Sequence, residues 1–207
     1  THLIDFDLLT QMGLLKEADY ASVNFGDDST SVDYERIFYA RRPILETAVK
    51  NFLANQSFQA DFKSFEKNNQ LWLDDFAEFM AIKEHFGNQA LQKWDDKKAV
   101  ARDPKTLEKY RTMLADQIQY FKVTQYFFFK QWTELKNYAN QKGIQIIGDM
   151  PIYVAADSVE VWTKPELFQL DKERNPLFVA GVPADQFSVT GQLWGNPLYD
   201  WEEHKKQ

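Results

Sequence analysis

The stretch from Asp103 to Gly148 constrains the fold more tightly than any other part of the chain. Asp103-Pro104 places a good N-cap residue before proline at the first helical position, where a missing N–H costs little. Leu107, Tyr110, Leu114, Ile118, Phe121, Phe128, Trp132 and Leu135 then recur at helical spacing, which predicts one long helix closed by Gly143. Phe127, Phe128 and Phe129 spread apolar surface over more than one face, so several neighbours are expected to bury the segment. Directly afterwards, Ile144-Gln145-Ile146-Ile147 is short, β-branched and bounded by glycines, the pattern of a strand buried in a parallel sheet. A long helix leading through a glycine turn into such a strand is the repeating step of an α/β barrel.

The rest of the first half reads as helical. Asp5 to Leu15 has an acidic start, apolar Phe6, Leu8, Leu9 and Met12, and then Gly13, which predicts a short capped helix. Asn24 to Ser31 is turn-rich and predicts a loop. Pro43 suits the first turn of a helix whose stripe is Ile44, Leu45, Ala48, Val49, Phe52 and Leu53, and a second stripe through Phe76, Phe79, Met80, Lys83 and Phe86 ends at Gly87. These aromatics are expected to pack in a core.

Length and charge narrow the function. The chain has 207 residues, 44% apolar and 27% charged, which suits a globular protein, yet a complete eight-stranded α/β barrel needs about 250. A piece of a larger domain is therefore compatible. With 31 acidic against 24 basic residues and a net charge of -7, neither nucleic acid nor an anionic membrane is an expected partner. Cysteine is absent, so thiolate metal sites and disulfides are excluded, and a reducing, cytoplasmic location is the expectation. His2, His85 and His204 form no ligand spacing, so no metal is expected. The opening Thr1-His2-Leu3-Ile4-Asp5-Phe6-Asp7 has neither the basic nor the apolar stretch of a secretory signal and reads as internal sequence.

Chemistry gathers after the predicted strand. Asp149 follows it within Gly148-Asp149-Met150-Pro151-Ile152-Tyr153-Val154, and strand C-terminal ends carry the active site in α/β barrels. The alternative is that Asp149 caps a turn. Beyond it, Tyr153, Trp162, Phe168, Phe187, Trp194, Tyr199 and Trp201 are mixed with Asp157, Asp185, Gln192 and Asn196. Sugars need both kinds of residue, aromatic rings for their C–H faces and carboxylates or amides for their hydroxyls. Packing alone would account for several of these rings. Ala180 to Tyr199 has little periodicity and much turn chemistry, and predicts a long shaped binding loop.

Two of these runs carry a resemblance. Gly148 to Ser158 and Gly181 to Tyr199 resemble signature stretches of bacterial 4-α-glucanotransferases, also called amylomaltases or disproportionating enzymes, of glycoside hydrolase family seventy-seven. Leu3 to Leu9 and Val32-Asp33-Tyr34 match the same pattern, so the resemblance spans nearly the whole chain. Ala184 departs from the second proline usual in the loop.

The resemblance implies a partial (β/α)8 barrel with a predominantly helical inserted region: residues 1–102 as the helical part, and 103–207 as barrel including the substrate-covering loop 181–199. It implies transfer of α-1,4-glucan segments between maltooligosaccharides by retaining double displacement, with no metal or organic cofactor. It places Asp149 in the sugar pocket, Gln192 and Trp194 on a loop over the glucan, and Asp185 at an acidic position of that loop. The family's nucleophile and acid/base motifs do not occur before Gln207, so no catalytic carboxylate is assigned within the chain. The expected partners are a maltooligosaccharide or starch-type glucan and the remainder of the barrel. A noncatalytic α-glucan-binding module is the main alternative, and a helical interaction scaffold a weaker one because it leaves the 181–199 loop without a purpose. The central expectation is spatial: Asp149 and Trp194 face one groove.

Overall fold

The computed structural model describes residues 2–28 and 30–206; Ser29 of the predicted 24–31 loop lies outside the described residues, as do Thr1 and Gln207. In chain order the helices and strands are α1 (Phe6–Gln11), α2 (Tyr34–Ala54), α3 (Gln59–Asn68), α4 (Leu73–His85), α5 (Lys97–Val100), α6 (Pro104–Met113), α7 (Ala115–Gln141), α8 (Val159–Thr163), β1 (Val179–Val182), β2 (Gln192–Pro197) and α9 (Trp201–His204). They fall into two compact units, Thr1–Asp74 with Gln119–Ile147, and Asp75–Ile118 with Gly148–Gln207. Each unit is discontinuous in sequence. Helices bury stripes against whichever face fits, so α2 and α7 share one core although they are far apart in the chain.

In the first unit, Asp5 caps α1 by accepting from Asp7 N and Leu8 N, and Gly13 follows at φ 73, as the sequence predicts. Pro43 departs from expectation. Asp33 accepts from Arg36 N at 2.9 Å and starts α2 earlier, which leaves Pro43 inside the helix, where it removes one backbone hydrogen bond. The predicted stripe still turns inward: Ile44, Leu45, Ala48, Val49 and Phe52 are buried, whereas Leu53 is exposed. Phe52 is the hub, with the Phe58, Phe62, Tyr126 and Phe127 rings at 5.3–5.4 Å. Burying an aromatic of this size contributes about 1.5–3 kcal/mol.

In the second unit, Asp103 caps α6 through Thr106 N at 2.9 Å with Pro104 in the first turn. The predicted single long helix is two helices, because Leu114 leaves helical geometry at φ -110, ψ 24. The core is built on Phe79, Trp94 and Trp162. Trp162 is fully buried, donates from Nε1 to Ala99 O at 2.9 Å and lies under the Arg102 guanidinium, so packing accounts for this ring. Phe168 is likewise core.

The predicted strand at Ile144–Ile147 is not a strand. Gly143 ends α7 at φ 76 as expected, but Ile144, Ile146 and Ile147 are exposed and irregular. A strand exists only where a neighbour completes its ladder, and no described residue pairs with this segment. The only sheet among the described residues is the antiparallel pair β1–β2, which falls mostly in the stretch predicted to be loop.

Candidate functional site

The hairpin is drawn tight at Gly181 and Gly191, where no other residue fits at the same geometry. Gly181 pairs with Leu193 and Val182 with Gln192. A Cβ at Gly181 would come 2.6 Å from Gln192 O, and one at Gly191, where φ is +74, would come 2.5 Å from Val182 O. The two strands therefore approach each other more closely than side chains permit at those points. At the tip, Asp185 Oδ1 accepts from Phe187 N and Ser188 N, both at 2.8 Å, and Ser188 Oγ donates to Gly191 O at 2.8 Å.

The hairpin is fastened to the run that follows Asp149. Asn196 Nδ2 donates to Val154 O at 2.8 Å, and Tyr199 OH donates to Ile152 O at 3.1 Å. Tyr153, between those two carbonyls, stacks on Tyr199 at 5.8 Å and stands 6.3 Å from Trp194. Tyr199 in turn touches Phe168 and Trp201. The result is a chain of rings from the half-buried Tyr153 to Trp194, which keeps 46% of its surface exposed on β2. Such a surface offers flat apolar faces at its outer end and a fixed backbone behind.

The four predicted sugar-binding residues have different surroundings. Gln192 and Trp194 are brought together, with Trp194 Nε1 donating to Gln192 Oε1 at 2.9 Å. Asp149 is exposed in irregular backbone, and its carboxylate makes no hydrogen bond among the described residues. The capping alternative for Asp149 thus has no hydrogen bond to support it, and it is Asp185 that organises a turn. Neither a cleft of about 690 Å³ beside α5 nor one of about 460 Å³ between α3 and α7 is lined by any of the four.

Other residues in these runs are structural. Asp157 is ion-paired with Lys83 and accepts from Leu91 N at 2.9 Å, which ties the run after Asp149 to the end of α4. Tyr153 is among the aromatics that the sequence offers for a sugar but not among the four assigned residues; the structure sets it between Tyr199 and Trp194, a meeting of rings that the run Ile152-Tyr153-Val154 does not announce. Among the described residues no group of three or more His, Cys, Asp or Glu side chains could hold a metal ion, and no helix is long and apolar enough to cross a membrane.

The family model for 4-alpha-glucanotransferase matches residues 1–207. A 4-alpha-glucanotransferase of Streptococcus pneumoniae (strain TIGR4) is 54% identical over 206 residues, covering 100% of this chain and 41% of that protein. One from Thermus thermophilus is 40% identical over 203 residues, covering 97% of this chain and 39% of the relative. Among solved structures, an amylomaltase from Streptococcus agalactiae in complex with acarbose superposes with a TM-score of 0.96 at 60% identity, over 99% of this chain and 41% of that one. The chain thus spans about two fifths of the length of these relatives. With a family match along its whole length and a backbone that follows the Streptococcus agalactiae protein throughout, the chain belongs to the 4-alpha-glucanotransferase family.

Proposed function

We propose that this chain supplies one wall of the glucan site of a 4-α-glucanotransferase, an enzyme that moves α-1,4-glucan segments between maltooligosaccharides in the cytoplasm. The observation that carries the reading is the exposed Trp194 ring, fixed 6.3 Å from Tyr153 on a hairpin bonded to the run that begins at Asp149. A glucose ring stacks its C–H face on such an indole, while Gln192 and the unbonded Asp149 carboxylate take its hydroxyls. Asp185 holds the hairpin tip in shape and turns its second oxygen to the sugar. The acarbose complex of the Streptococcus agalactiae relative supports a glucan-type ligand.

In this reading the parent enzyme is a (β/α)8 barrel. Exposed Ile144, Ile146 and Ile147 become a barrel strand once the remainder of the enzyme supplies neighbours, which also protects their apolar surface. The chemistry is retaining double displacement: one carboxylate attacks the anomeric carbon and forms a glycosyl-enzyme, while a second, about 5–5.5 Å away, protonates the leaving oxygen and then deprotonates the acceptor 4-hydroxyl. Both carboxylates come from outside these residues, so the chain alone binds glucan without turning it over. Nucleic acid and membrane have no part in it.

The test is incubation of the purified 207-residue chain, and separately of the intact enzyme, with maltotriose. Redistribution into glucose and longer chains by the intact enzyme alone supports the reading. Redistribution by the chain alone places the carboxylates inside it and defeats the assignment, and binding without redistribution by the intact enzyme identifies a noncatalytic glucan-binding module instead.

A further inference from the structure

The cleft of about 690 Å³ in the second unit is lined by Lys97 and Val100 of α5, by Pro165, Glu166 and Phe168, and by the turn that carries Arg174. That turn is tight. Arg174 N donates to Asp171 O at 3.1 Å and Asp171 N to Asn175 O at 2.9 Å, while Leu170 and Pro176 form an antiparallel bridge. Arg174 occupies the left-handed position at φ 70. Hairpin turns of this kind favour glycine there, because a Cβ is unfavourable at positive φ.

Arg102, also at positive φ, has evident compensation, since it is paired with Asp75 at 2.6 Å and lies over the Trp162 ring at 4.2 Å. Arg174 has none of this. Its half-buried guanidinium makes no hydrogen bond or ion pair among the described residues. Lys97, also in the lining, bonds a backbone carbonyl, Gln92 O, at 3.0 Å, and has no carboxylate partner among the described residues. Gln92 also donates from Nε2 to Arg174 O at 3.1 Å, so the residue whose carbonyl holds Lys97 also holds the backbone of the Arg174 turn, which carries Lys172 as a further cation of the lining.

Of the three acidic groups that line the cleft, one is committed to its own turn. The Asp171 carboxylate accepts from Glu173 N, Asn175 N and Asn175 Nδ2 and is held below its usual range by those bonds. Glu173 is exposed on the turn. Glu166 is exposed too, and its field reaches Arg174 without forming an ion pair. Burial and the charge of Arg102 both disfavour an unpaired cation at Arg174, a cost that a bound anion would relieve.

We infer that this cleft binds a phosphate monoester of a sugar, with the phosphate on Arg174 and Lys97 and the sugar along Pro165, Val100 and Phe168. A planar guanidinium fork and an ammonium together present more donors than a carboxylate has oxygens to fill, and a dianion matches two cations. The volume exceeds that of an inorganic ion and falls in the range of small-molecule sites.

The experiment is calorimetry on the intact enzyme with glucose 1-phosphate, inorganic phosphate and glucose, repeated on Arg174→Gly, Lys97→Ala and Glu166→Gln. The ester is expected to bind more tightly than phosphate or glucose, to weaken by at least about tenfold in Arg174→Gly and to weaken in Lys97→Ala. It should tighten in Glu166→Gln, which removes the opposing field. Arg174→Gly should melt no lower than the parent, since glycine suits the turn. Absence of ester binding, equal affinity for ester and inorganic phosphate, or ester binding unchanged in Arg174→Gly would overturn the assignment. So would a fall in melting temperature in Arg174→Gly or Glu166→Gln, because it would make the guanidinium a structural group.

Discussion

Trp194 Nε1 donates to the side-chain oxygen of Gln192 at 2.9 Å, from one alternate position of β2 to the next. Residues so spaced lie on the same face of a strand, so the indole and the amide act as one recognition surface. Removing the ring and removing the amide should therefore have unequal effects. Trp194→Ala loses the stacking face itself and is expected to lower kcat/KM for maltotriose in the intact enzyme by about 10- to 100-fold. Trp194→Phe should recover most of that loss, and Gln192→Ala should cost less than Trp194→Ala. Steady-state kinetics of the three variants checks the order; equal and negligible effects would return both residues to a structural role.

The glycines of the hairpin predict a second ranking. Gly191→Ala combines a positive φ with a Cβ 2.5 Å from Val182 O, Gly181→Ala has the clash with Gln192 O alone, and Gly195→Ala has φ 78 with no atom within 4 Å. Gly195→Ala should cost about 1–2 kcal/mol of local stability and leave the hairpin intact. The other two must part the strands, and should reduce transfer activity more than they lower the melting temperature. Activity measured beside thermal denaturation decides it.

Asp157 yields a prediction of the opposite kind. It sits in the run that resembles a family signature, yet Lys83 and Leu91 N occupy its two oxygens. Asp157→Ala leaves a backbone donor without its acceptor and should cost about 1–3 kcal/mol of stability, with KM for maltotriose unchanged. A variant of normal stability with a raised KM would move Asp157 into the site.

Glu78 makes stability depend on pH. Burial raises its carboxyl above the ordinary 4.5, although Arg111 Nη2 donates to it at 3.0 Å and pulls the other way. The folded protein thus takes up this proton at higher pH than the unfolded chain. The corresponding stability is complete below pH 4.5 and is lost as pH rises through the folded value. Glu78→Gln carries no such loss. Its melting temperature relative to the parent should rise from pH 4.5 toward neutrality, and a difference that stays constant with pH would show that the carboxyl is not perturbed.

The features legible in the sequence are those whose cause is local. Asp5, Asp103, Gly13 and Gly143 act within a turn of their own position, and each stands where the pattern puts it. Pro43 misleads because a proline fits a first turn or, at a cost, a helix interior, and the deciding residue is Asp33 far upstream. Ile144 to Ile147 has strand composition but no ladder partner among the described residues, and a ladder depends on two segments. The β1–β2 hairpin is hidden by the glycines at 181, 191 and 195, which break its alternation, while the first two make its close approach possible. At the site, Asp149 and Asp185 are equivalent letters; only the hydrogen bonds from Phe187 N and Ser188 N separate the turn-forming carboxylate from the unbonded one.

The most direct test of the shared sugar wall is a crystal structure of the intact enzyme soaked with a maltooligosaccharide too long to fit a single subsite. The account predicts one continuous glucan that stacks a ring on Trp194 and places hydroxyls within hydrogen-bonding distance of Asp149. A glucan that touches one of these residues while the other faces solvent, or lies across a different surface altogether, would contradict it.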